Sequence, residues 1–220
     1  MDALFRVEST DLLDRKLKKS IATKMKNVLE QVKAVESASG LTYPPYYVEP
    51  VLTVVESNDN MGGLGVLYAR TVPVDANGSI TIVVELSAPL VLYATKSLLK
   101  TILAHELLHY VELVKNFSRM DVASQITTSS VFEEQYQDGS RAVDPSFVYK
   151  EKRLISLLKK KETEGFSDSK LNEKCRLKWI ERGLPVHKIP IGTNQASVSA
   201  ESIVRTNFDP KVKELISKIA

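Results

Sequence analysis

Apolar residues at Leu13, Leu17, Ile21, Met25, Leu29 and Val32 recur every three or four positions between residue 11 and about 38. That spacing lines one face of an α-helix, and Gly40 is placed to stop it. The rhythm then changes. Three runs rich in β-branched residues follow, PVLTVVES (50–57), GVLYARTV (65–72) and SITIVVELS (79–87), and these read as strands. Between the last two, Asp75-Ala76-Asn77-Gly78 predicts a hairpin turn. The loop NDNMGGLG (58–65) is glycine-rich, but no Gly-Lys-Ser/Thr follows it, so it is read as a flap or turn and not as a phosphate loop.

A second helix is expected over residues 95 to about 117. Residues 118–146 are polar and irregular, with one short helix expected at SSVFEEQYQ. From 147 to 183 the pattern is helical again, ending at Gly183-Leu184-Pro185, and a short helix is expected after Pro210. The class is α+β, in a single domain over 1–220. Within it we distinguish an N-terminal helix (1–45), a sheet with its following helix (46–117), a helical sub-lobe (118–185) and a C-terminal tail (186–220).

Composition changes little. The chain has 220 residues, enough for a real core. Its formal net charge of +3 is too mild to argue nucleic acid or membrane by itself. The lysines of the first helix therefore read as a solvated face, and nucleic acid is not an expected partner. The single cysteine, Cys175, excludes a disulfide framework within the chain and a cysteine zinc ribbon. The N-terminus lacks the pattern of a secretory signal, and no apolar run is long enough for a bilayer span. A soluble, cytoplasmic protein is the expectation.

Candidate chemistry lies at TILAHELLHYVEL (101–113). His105 and His109, four residues apart on a helix, project about 40° from one another, so both imidazoles can reach one point. Neutral imidazole is a ready zinc ligand. Glu106 is turned about 100° from His105, beside such an ion, where it can take a proton from a water. Leu98, Leu99, Ile102, Leu103, Leu107, Leu108, Val111 and Val114 make this helix apolar almost all round. Three ionisable groups there would be costly without partners.

A catalytic zinc needs a third protein ligand. The metzincin continuation would require Gly at 112 and His at 115, where this chain has Glu112 and Lys115. A carboxylate from elsewhere is the remaining source, preferably followed one turn later by an acid that holds an imidazole from behind. Glu164 with Asp168 fits this spacing, as do Glu134 with Asp138; Glu162 is nearby but lacks the second acid. Glu164 is preferred because Leu171 and Cys175 continue its face inward, with Glu134 and then Glu162 as alternatives.

HELLH followed by ETEGFSD resembles the gluzincin branch of zincin metallopeptidases, in compact soluble form. The resemblance covers about residues 50 to 183. It implies a small mixed sheet whose antiparallel edge strand packs on the active-site helix, followed by a mostly helical C-terminal part. It also implies Zn2+ held by His105, His109 and Glu164, with Glu106 as general base and Asp168 orienting a ligand. The implied activity is hydrolysis of peptide bonds by a metal-activated water. An extended peptide or protein substrate would lie along an edge strand, expected to be 79–87. His187, the one histidine outside the motif, is the candidate oxyanion donor, with Tyr149 and Tyr110 behind it. Cys175 and Trp179 read as packing residues. Two other readings compete: a latent or inactive zincin fold with the tail lying in its cleft, and a nucleic-acid-associated protein using the lysine-rich first helix.

Overall fold

The computed structural model describes residues 2–56, 64–123, 142–164, 168–190 and 200–219. After a short helix α1 (Phe5–Ser9), helix α2 runs over Arg15–Ser39. Asp14 caps its first turn by accepting from the Leu17 amide, and Gly40 ends it in the left-handed conformation at φ 74°. Its buried face is Ile21, Met25, Val28, Val32 and Val35, while Leu29 is exposed. The expected stripe failed at Leu29 because each step of four residues rotates about 40°. Repeated steps of four therefore wind off the buried face, and Val28 takes the place.

Two three-stranded sheets follow. One holds β1 (Tyr46–Glu49), β5 (Ser79–Ser87) and β4 (Ala69–Ala76) in that order, with β1–β5 parallel and β4–β5 antiparallel. The other holds β3 (Leu64–Leu67), β2 (Leu52–Glu56) and β6 (Val186–Pro190), with β2–β3 antiparallel and β2–β6 parallel. The run expected as one strand over 65–72 is thus divided at Tyr68 between two sheets. The expected hairpin turn forms, with Asn77 and Gly78 at φ 56° and 76°, the positive pair that a two-residue turn between twisted strands needs. The edge assignment is corrected: β5 is the central strand of its sheet and β4, among the described residues, an edge. Pro73 within β4 suits an edge, since a central strand would lose a ladder bond there.

Helix α3 (Ala88–Tyr93) leads into α4 (Lys96–Ala123), which packs against α2 and β4. Leu103, Ala104, Leu107, Val111, Val114 and Phe117 of α4 are wholly buried, placing this helix at the centre of the core. The helix expected at SSVFEEQYQ lies outside the described residues. The helical stretch expected over 147–183 is broken into α5 (Pro145–Val148), α6 (Lys152–Glu164), α7 (Ser169–Cys175) and a π-helical turn (Arg176–Ile180). Asp168 stands outside helical geometry, at φ −127° and ψ 112°, as the cap of α7. The tail is part of the fold. Beyond β6, helices α8 (Ala200–Arg205) and α9 (Pro210–Ser217) bury Ile203, Phe208, Val212 and Ile216 against the hairpin and α4.

Candidate metal centre

From Thr101 to Val114 the only residues that are not buried are His105, His109 and Glu112. They sit at i, i+4 and i+7, one stripe of the helix, so the single accessible face of an otherwise enclosed α4 is the one that carries the imidazoles. The Nε2 atoms of His105 and His109 face each other at 2.9 Å, with ring planes 83° apart. Two nitrogens on a tetrahedral zinc stand about 3.3 Å apart, given bonds of about 2.0–2.1 Å. The pair is therefore convergent to within a small side-chain adjustment. Burial first, and the neighbouring His109 second, push the His105 pKa down to about 3. The imidazole is neutral at physiological pH, the form a metal binds.

Glu106 points elsewhere. It is buried, and its Oε2 accepts a hydrogen bond from the Thr71 hydroxyl of β4 at 2.7 Å. The same hydroxyl lies 3.1 Å from the Glu106 main-chain oxygen. Strand β4 thus holds the carboxylate. Just upstream, two buried tyrosines secure the turn that precedes the motif: Tyr43 donates to the Leu103 carbonyl at 3.0 Å and Tyr149 to the Ala104 carbonyl at 2.8 Å. Burial, and then the Glu106 charge, raise the Tyr43 pKa well above its ordinary value, and burial raises that of Tyr149. Both phenols stay protonated donors. Thr71 and Tyr43 were missed by sequence reasoning, because nothing local marks a residue as reaching a helix far along the chain. Tyr149 is a clamp on α4, not a free donor facing a substrate.

The remaining candidates are more scattered. Glu164 is the last residue of α6, a helix that packs against α4, but its side chain and that of Glu162 lie outside the described residues, as does Glu134 entirely. Among the described residues no cluster of three or more His, Cys, Asp or Glu gathers as a metal site. The Asp168 carboxylate accepts from the Leu171 amide at 2.9 Å, and its main-chain oxygen accepts from the Tyr68 hydroxyl at 3.3 Å. The expected single helical face from Glu164 through Asp168 to Cys175 is therefore not formed. Glu112 is held by Lys115 at 2.9 Å on its own helix.

His187 is exposed on β6, opposite Thr53 in the parallel register. It lines a cavity of about 170 Å³ between the two sheets with Glu49, Tyr68, Arg70 and Glu85, and none of the motif residues lines that cavity. The structure thus sets His187 in a different place from the His105–His109 pair. Tyr110 is buried, its pKa raised to about 12 by burial and then by Asp209. Cys175 is wholly buried and its thiol is pushed up to about 12 by burial, as a packing residue. Trp179 is buried too, its indole donating to the Pro185 carbonyl at 2.8 Å.

No protein-family model, no curated protein and no solved structure matches the chain. No helix among the described residues is long and apolar enough to cross a membrane.

Proposed function

We propose that the protein is a zinc-dependent endopeptidase of gluzincin type. The observation that carries this reading is the convergence of the His105 and His109 Nε2 atoms on the one accessible stripe of a buried helix. The donor set fits zinc: two imidazoles with their nitrogens directed at one point, His105 in its neutral form, and a helix ending at Glu164, α6, that packs on α4. His105 and His109 would hold the ion, with Glu164 as the proposed third ligand. When bound, zinc polarises a carbonyl and acidifies a water.

The chain's own residues supply the rest. Glu106 would accept the proton of the attacking water and return it to the leaving amine. The Thr71 hydrogen bond fixes the Glu106 carboxylate against β4. An extended peptide would lie along β4, the edge strand that carries Thr71. This moves the proposed docking strand from 79–87 to 69–76. Glu106→Gln should keep one zinc per chain and lose at least about 100-fold in cleavage of an unstructured protein such as casein. Cleavage retained in that variant would remove Glu106 from the chemistry.

A further inference from the structure

The first fifteen residues of α2, from Arg15 to Leu29, contain six basic residues and no acidic one. Cations at a helix N-terminus oppose the helix dipole, and basic residues three or four apart, such as Lys16–Lys19 and Arg15–Lys19, repel. The arrangement costs stability locally. It also has a shape. At about 100° per residue, Arg15, Lys19, Lys26 and Lys33 fall within about 40° of one another, opposite the buried face of Ile21, Val28 and Val32. They form one outward ridge about 27 Å long.

All four are exposed, and none of them forms an ion pair with another described residue. Glu30, the first acid along the helix, is drawn aside to Lys96 Nζ at 2.7 Å. Some helical cations elsewhere are matched locally, as in Arg205 with Glu201 and Lys218 with Glu214. What sets the ridge apart is its alignment along one face of α2.

We propose that this ridge binds the phosphate backbone of nucleic acid. The complement of a straight, single-sign row of cations is a regular row of anions, which a duplex offers with one charge per about 1.7 Å of axis. A lipid surface is a poorer match. An interfacial helix inserts its apolar face among acyl chains, and here that face is committed to the core. With cations and no interleaved aromatics, contact would be to backbone and indifferent to base sequence. The mild net charge and the lack of a base-reading motif make nucleic acid an unexpected partner from sequence; the proposal rests on the distribution of cations along α2, not on their total. This inference is independent of the metal centre.

The test is fluorescence anisotropy of the full chain with labelled mixed-sequence duplex DNA and the matching RNA duplex, across a salt series. Retention should fall about 100-fold between about 50 and 200 mM salt if some four phosphates are engaged. The variant Arg15→Gln/Lys19→Gln/Lys26→Gln/Lys33→Gln changes only exposed side chains. It should melt at or slightly above the wild-type temperature, bind at least about tenfold more weakly at low salt, and flatten the logarithmic salt slope by about 3. Lys152→Gln/Arg153→Gln, altering two exposed cations of α6, should change binding much less. Comparing the two duplexes tells which nucleic acid is preferred. The proposal is overturned by the absence of salt-sensitive binding, by equal losses in the two variants, or by retention on phosphatidylserine vesicles with none on either duplex.

Discussion

Thr71 separates holding the general base from merely packing beside it. Its hydroxyl donates to Glu106 across the contact between β4 and α4, where both residues are buried. Thr71→Val keeps the outline of the side chain and removes the donor. A buried carboxylate that loses a partner costs about 1–3 kcal/mol, so chemical denaturation should show a loss in that range. Casein cleavage should fall at least about tenfold with zinc content unchanged; unaltered turnover would show that the carboxylate does not depend on this bond. His105 gives a pH dependence. Its pKa is lowered to about 3 in the folded chain, so below its ordinary value near 6.5 the unfolded chain binds the proton and the folded chain does not. This contribution leaves stability unaffected above about pH 6.5 and erodes it progressively as pH falls towards 3. Thermal melting of chelator-treated protein should therefore worsen from pH 7.5 to pH 5, and His105→Gln should flatten that decline.

Among the elements, the β4–β5 hairpin and the tail are tied together. The Thr206 hydroxyl accepts from the Ile80 amide at 2.7 Å, and Ser202 bonds Asp75. Phe208 stacks on Phe117 of α4 with centroids 6.0 Å apart and planes 3° from parallel. Removing residues 200–220 would uncover Phe117 and the hairpin flank. The truncated chain should melt several degrees lower, since each large buried side chain lost is worth about 2 kcal/mol or more. Cleavage that rises without loss of stability would instead make the tail a latency device. Gly78 is the hairpin's own weak point. It sits at φ +76°, and a Cβ there would meet Arg205 Nη1 at 3.3 Å. Gly78→Ala should cost about 1 kcal/mol in chemical denaturation.

Across the whole molecule, long periodic elements were legible and pairing partners were not. Helices α2 and α4 announce themselves by sustained apolar spacing and by Gly40, and HELLH stands out because everything round it is apolar. Two signs of strand order were present and outweighed: SITIVVELS is nearly continuous in apolar residues, as suits a central strand, and Pro73 suits an edge. Strands β1 and β6 are short, flanked by prolines, and exist through parallel pairing with distant partners, which no local pattern encodes. The acids at 164 and 168 suggested one helix, yet Asp168 spends its carboxylate as a cap. That choice was visible in an Asp placed three residues before Leu171. The clamps on α4 from Tyr43, Thr71 and Tyr149 arise only once the chain is folded.

Metal content decides whether α4 carries a metal centre at all. Zinc should be measured by elemental analysis after dialysis in wild type, His105→Ala/His109→Ala and Glu164→Ala. One zinc per wild-type chain, none in the double variant and a marked loss in Glu164→Ala is the predicted result. Zinc-free wild type, or a double variant that holds as much as wild type, would contradict it.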